Sequence, residues 1–275
     1  MNTNISNNYS KLKLSLFYLP IFLIIAIVFF LYKHDALNVY SYIQIQKDCF
    51  FFLNSALSQY PSTQYNLSEI GNTLVCFSFL SIFIIYAPKI WESLLSTSFV
   101  ALLFSCFLKK AFAVPRPSAA FGNNSFVIIG KKLCGHNSLP SGHSITVFMT
   151  LTILLYAFMP KKLKYKILWC SFIVITGLIL VLTRVAIGAH YPLDVFVGSI
   201  IGYTLGLLGI FINQKYNLWT WISNKKYYPI VILAFLICCF LLIDKVINEN
   251  LITFDLSLIC LIISIYKITT VYVKK

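Results

Sequence analysis

The chain has 275 residues, of which 59% are hydrophobic and only 11% charged, and its mean hydropathy is +0.83. Soluble globular domains carry about 25% charged residues, so a disordered chain, a nucleic-acid-binding domain and an ordinary soluble enzyme are excluded. The formal charge of +14, from 22 Lys+Arg against 8 Asp+Glu, falls between long apolar blocks, where cations orient spans and meet anionic head groups.

This pattern reads as an all-α, polytopic transmembrane helical bundle whose partners are the lipid bilayer and a phosphate-bearing lipid, with no nucleic acid and no obligate protein partner. Lys11 and Lys13 precede an apolar run at 14–32 that is too long for a signal-peptide core and is followed by no small-residue cleavage site. It is read as the first of eight spans. The others are 70–86, 93–108, 144–159, 167–182, 195–212, 229–243 and 251–266. Several fall short of the roughly 20 residues a span requires and must recruit flanking Tyr, Trp or Lys. Residues 36–60 are too polar to span, yet carry Phe50, Phe51, Phe52 and Leu57. They are read either as an interfacial helix or as a cap on the bundle.

The cations set the orientation. Lys89, the cluster Lys161, Lys162, Lys164 and Lys166, then Lys215, Lys225, Lys226, Lys274 and Lys275 all follow even-numbered spans and mark the cytoplasmic side. Both termini are then cytoplasmic, and the loop holding Asn123 lies outside. Cys49 and Cys134 read as loop residues, their pairing left open, and the other six cysteines as small hydrophobes inside apolar blocks.

Three segments stand apart from the apolar background, and this topology puts all of them on the outer side. They are Lys109 to Arg116-Pro117, then Pro140-Ser141-Gly142-His143, then Thr183-Arg184 through His190 to Asp194. Lys109, Arg116 and Arg184 bring three cations together, which suits a phosphoryl group. Ser141 and Gly142 open a helix whose free N–H groups can cradle an anion. His190 and Asp194, spaced i to i+4, are read as one face of the first turn of a helix. The carboxylate then fixes the tautomer and leaves Nε2 as nucleophile. His143 suits the general acid. Taken singly, each of these residues is an interfacial side chain or a helix cap; shared order, spacing and side make them a site. His34 and His136 have no partner at useful spacing and are read as structural, and Lys110, Lys131 and Lys132 as a solvated face.

These motifs resemble the type 2 phosphatidic acid phosphatases, a superfamily shared with the vanadium haloperoxidases, with Thr183 where the family usually has Ser. The resemblance implies phosphate binding by Lys109, Arg116, Ser141, Gly142 and Arg184. It implies a phosphohistidine at His190 oriented by Asp194, acid catalysis by His143, and no metal or other cofactor. It further implies a six-span lipid phosphatase core at 1–213, leaving 214–275 as a C-terminal transmembrane appendage. The expected activity is hydrolysis of an envelope lipid phosphate at the periplasmic face of a bacterial inner membrane. Undecaprenyl diphosphate, lipid A phosphate, phosphatidylglycerol phosphate and phosphatidic acid all fit. A lipid phosphotransferase using the same phosphohistidine, and a non-enzymatic lipid-binding or transport protein, are the rival readings.

Overall fold

Leu, Ile, Phe and Val in long runs satisfy a bilayer only as helices, because helices bond their own backbone groups internally. The computed structural model describes residues 1–122 and 125–274; Asn123 and Lys275 lie outside them. The elements are α1 (Asn2–Tyr9), α2 (Tyr18–Lys33), α3 (Val39–Leu57), α4 (Pro61–Glu69), α5 (Thr73–Phe79), α6 (Phe83–Tyr86), α7 (Pro88–Phe112), α8 (Pro117–Ala120), α9 (Gly142–Ala157), α10 (Leu163–Ala186), α11 (Pro192–Tyr216), α12 (Tyr228–Glu249) and α13 (Ile252–Val273). No strand occurs among the described residues. Six helices, α2, α7, α10, α11, α12 and α13, are long and apolar enough to cross a membrane, and the protein is an integral membrane bundle.

Two of the eight expected spans, 70–86 and 144–159, are not among these six. The 70–86 block is broken between α5 and α6. Other helices bond at the break: Trp91 Nε1 donates to the Leu80 carbonyl at 2.8 Å, and the buried Ser81 hydroxyl lies 2.6 Å from Ser264 Oγ on α13. A break inside a membrane protein is tolerated where neighbours bond the freed groups. The 144–159 block forms α9, only 16 residues long. Most of α9 is buried among other helices, so protein rather than lipid surrounds it and the length rule for spans does not bind it.

Close approach of α9 and α11 organises the centre. A Cβ on Gly198, Gly202 or Gly206 would lie 2.7 Å from the Ser141 carbonyl oxygen, 2.6 Å from that of Ile145 and 2.9 Å from that of Met149. Glycines at every fourth position thus let two backbones touch, the device of small-residue stripes in membrane helices. The contact sets the start of α9 beside the start of α11.

Residues 36–60 form a cap. On α3, Tyr42, Ile43, Gln46, Phe50 and Asn54 are buried at helical spacing. Gln46 Oε1 accepts the Leu193 N–H at 3.0 Å, and Asn54 Nδ2 donates to the carbonyls of Val185 and Ala186. Cys49 is on this helix and not in a loop; all eight cysteines are free thiols. The pair α12–α13 shares a core with α5 and α7, built around Val75, Trp91, Phe235, Leu242, Phe254 and Leu261.

Candidate active site

The three motifs meet where α7, α9, α10 and α11 end or begin. α7 closes at Ala113 in the left-handed region (φ 46°), one turn after Lys109, whose carbonyl accepts the Ala113 N–H. The chain then runs extended, and two bonds tie it to the following loop, Arg116 N–H to Gly135 O and Ser138 N–H to Val114 O. Arg184 occupies the last turn of α10 and its carbonyl accepts the N–H groups of Ala189 and His190. Gly188 makes this turn possible: its φ is +75°, and a Cβ would meet the Val127 carbonyl at 2.7 Å. The Ser141 N–H donates to the Asp194 carbonyl at 3.1 Å, a direct bond between the second and third motifs.

His190 is 1% exposed and Asp194 fully buried. Nδ1 of His190 lies 3.5 Å from Asp194 Oδ2, and Nε2 lies 3.3 Å from Nη1 of Arg116. Only the nitrogen without a proton can accept from a guanidinium, so this geometry puts the proton on Nδ1 and the lone pair on Nε2. Burial, reinforced by Arg116, Arg184 and Lys109 in that order, holds His190 well below the usual histidine pKa. Burial thus favours the neutral ring, with the lone pair of Nε2 free toward Arg116.

One expectation is corrected here. α11 begins at Pro192, so Asp194 is its third residue and His190 precedes it. The two do not share a helical face. Instead the Asp194 carboxylate turns back over the helix start, accepting the Tyr191 N–H at 3.1 Å, as a capping-box residue does. It also accepts the Ser138 hydroxyl at 2.5 Å and the Tyr42 hydroxyl at 2.8 Å.

The cations line the same space. Arg116 donates to Asn137 Oδ1 (2.7 Å) and to the Ala189 carbonyl (3.1 Å). Arg184, 3% exposed, donates to Ser68 Oγ at 2.6 Å, while its Nε has no partner. Lys109 is half-buried, and its Nζ comes within 3.4 Å of where a Cβ on Gly142 would sit. At Gly142 the bare backbone leaves room for the ammonium beside the start of α9. The Ser141 hydroxyl oxygen accepts from Ser144 N–H and Ser144 Oγ, which leaves its own O–H free to donate alongside the N–H groups opening α9. His143 follows, with Nε2 sealed from solvent. Thr183 spends its hydroxyl on the Leu180 carbonyl.

Lys110, Lys132, His34 and His136 are exposed, and Lys131 pairs with Glu249 at 2.9 Å. Five residues that sequence reasoning did not single out complete the site: Tyr42, Ser68, Glu69, Asn137 and Ser138. For Asn137 and Ser138 a signal existed, since they lie three and two residues before Pro140 of the Pro-Ser-Gly-His motif. The other three come from distant helices.

Beside His143 a groove of about 550 Å³ runs between α5, α7 and α9, its floor formed by Ala101, Leu102, Ile145 and Met149. Among the described residues, no three His, Cys, Asp or Glu side chains come together to hold a metal ion.

The fold is similar to that in the crystal structure of Aquifex aeolicus LpxE, with a TM-score of 0.50, 24% identity, and coverage of 60% of this chain and 94% of that chain. At that identity the likeness concerns the fold alone. No curated protein matches the chain significantly. Residues 89–219, the stretch that carries all three motifs, match the model of the PAP2 superfamily. By that match, and by the motif residues it encloses, the stretch 89–219 is similar to the PAP2 superfamily.

Proposed function

We propose that the protein is a membrane-embedded lipid phosphate phosphatase working through a phosphohistidine. The observation that carries this reading is the single cluster of a neutral, oriented imidazole, a carboxylate behind it and three cations in front. Nε2 of His190 attacks phosphorus and the bond from phosphorus to the lipid oxygen breaks. His143 donates the proton that the departing alkoxide takes up. Water then attacks the phosphohistidine, His143 recovers a proton from it, and inorganic phosphate leaves. Lys109, Arg116, Arg184 and the N–H groups opening α9 stabilise the charge on the transferring group.

The groove supports a lipid substrate, because Gly142 and His143 line it together with apolar Ala101, Leu102, Ile145 and Met149, which can take the first carbons of an acyl or prenyl chain. The lysine clusters support a site facing the outer leaflet, periplasmic in a Gram-negative cell, with both termini cytoplasmic. The substrate class is then an envelope lipid carrying a phosphomonoester or diphosphate. Purified protein should release phosphate from at least one member of a panel of such lipids, and His190→Ala should release none. A panel that yields no phosphate with wild-type protein overturns the reading, and transfer to an added lipid hydroxyl in place of water would redefine it as a phosphotransferase.

A further inference from the structure

His143 has no carboxylate near it in sequence, but the fold supplies one. Glu69, the last residue of α4, is 7% exposed and sets Oε1 3.9 Å from Nε2 of His143. That nitrogen is sealed from solvent and has no hydrogen-bond partner. The other carboxylate oxygen is occupied: Asn72 Nδ2 donates to Oε2 at 3.2 Å, and Lys245 of α12 stands 3.6 Å from it. Glu69 is thus tethered by one oxygen and aims the other at an unpartnered imidazole nitrogen. The residue before it, Ser68, receives Arg184, so one helix end serves two residues of the site. Tyr65, a turn earlier, gives its hydroxyl to Glu249 of α12, which also holds Lys131 and Lys245. The charges acting on Glu69 are Arg184, Lys245 and, across the Glu249 pair, Lys131, and the titratable groups acting on His143 are Arg184, His190, Arg116 and Lys109.

A general acid surrounded by three cations loses its proton too easily to be useful, since like charges disfavour the imidazolium. We propose that Glu69 is a positioning residue for His143: it accepts the Nε2 proton and holds the ring charged, leaving Nδ1–H for the departing lipid oxygen. Catalytic hydrogen bonds are commonly long in the free enzyme and tighten around substrate. No bond to Glu69 is made or broken in the reaction. The proton that leaves Nδ1 goes to the alkoxide and is recovered from the water that cleaves the phosphohistidine. The inference rests on the phosphatase reading above and gives α12, beyond the family match, a part in the chemistry through Lys245.

The test compares wild type, Glu69→Gln, His143→Ala and the double variant on a lipid monophosphate and on an aryl phosphate, across pH. Removing an adjacent negative charge lowers the pKa of an imidazolium by about one unit or more. The basic limb of kcat in Glu69→Gln should therefore move to lower pH. At neutral pH the loss should be about tenfold on the lipid substrate and smaller on the aryl phosphate, whose leaving group needs no proton. In the His143→Ala background, Glu69→Gln should cost nothing further. An unmoved basic limb, or losses that simply multiply in the double variant, overturns the proposal while leaving the phosphatase reading intact. A wild-type protein inactive on both substrates overturns the reading and this inference with it. Should Glu69→Gln fail to fold, Glu69→Asp withdraws the oxygen from Nε2 while keeping the charge, and a smaller movement of the limb in the same direction is required of it, an unmoved limb again overturning the proposal.

Discussion

His190 is held between groups that act on its two nitrogens in different ways. Asp194 and Ser138 face Nδ1 and favour a proton there, whereas Arg116 faces Nε2 and keeps it bare. Because burial and the three cations lower its pKa, His190 remains an unprotonated base at pH values where a free imidazole is already charged. The acid limb of kcat/KM, corrected for the second ionisation of the phosphate, should lie below the ordinary histidine value of about 6.5; a limb at or above it counts against the assignment. His190→Ala should show no phosphoenzyme in acid-quenched samples. Ser138→Ala removes one of three donors to a buried carboxylate and should lower kcat about tenfold, in line with a charged hydrogen bond of roughly 1.5–3 kcal/mol. The motif residues themselves were legible, because Lys109, Arg116, His143, Arg184, His190 and Asp194 keep a recognisable order and spacing. Tyr42, Ser68 and Glu69 were not. No periodicity links residue 42 to residue 194, or 69 to 143; only the packing of α3 and α4 over the motif loops does so.

At the scale of elements, the site depends on how closely α11 lies against α9. Gly202→Leu would drive a side chain into the Ile145 carbonyl, only 2.6 Å from the added Cβ, and overpacking of this kind costs about 2 kcal/mol. A clearly lowered unfolding midpoint in detergent is expected, together with lost activity as Ser141 moves away from Asp194. Gly122→Ala, where nothing among the described residues lies within 4 Å of the new Cβ, should behave as wild type. The Gly-x3-Gly-x3-Gly spacing was present in the sequence, but it acquires meaning only from the backbone that fills it. The break between α5 and α6 was hidden for a related reason. Hydropathy registers an apolar run at 70–86 and cannot register that Trp91 and Ser264 will bond there. The reverse holds for α10, α12 and α13, whose long apolar runs are mostly left unburied by protein and so declare themselves by composition.

For the whole molecule, the proposal requires that one end of the bundle face the outside. Cysteines placed at Lys132, in the loop beside the site, and at Lys164, at the far end of α10, should label from opposite sides of the membrane. Labelling from the same side would undo the orientation. The cations at the site also carry a chemical consequence. Lys109, Arg116, Arg184 and the start of α9 can neutralise a transferring phosphoryl group without a divalent ion. Phosphate release should persist in excess EDTA and be inhibited by vanadate, a mimic of five-coordinate phosphorus. Loss of activity in chelator, restored by magnesium, would contradict the mechanism.

The helix α2 differs from every other long helix in how little of it touches protein. Only Pro20 and Leu31 along its length are buried, whereas α11 buries twelve residues. Its ends are fixed elsewhere, by Ile5, Tyr9 and Asn8 of α1 on one side and by the buried face of α3 on the other. The stretch between is specified by what it contains and hardly at all by the order in which it is contained. Shuffling its residues between Pro20 and Leu31 should leave folding and phosphate release nearly unchanged, while the same shuffle applied to α11 should abolish both. α2 is thus the part of this chain where evolution is free to rewrite the text so long as it keeps the alphabet.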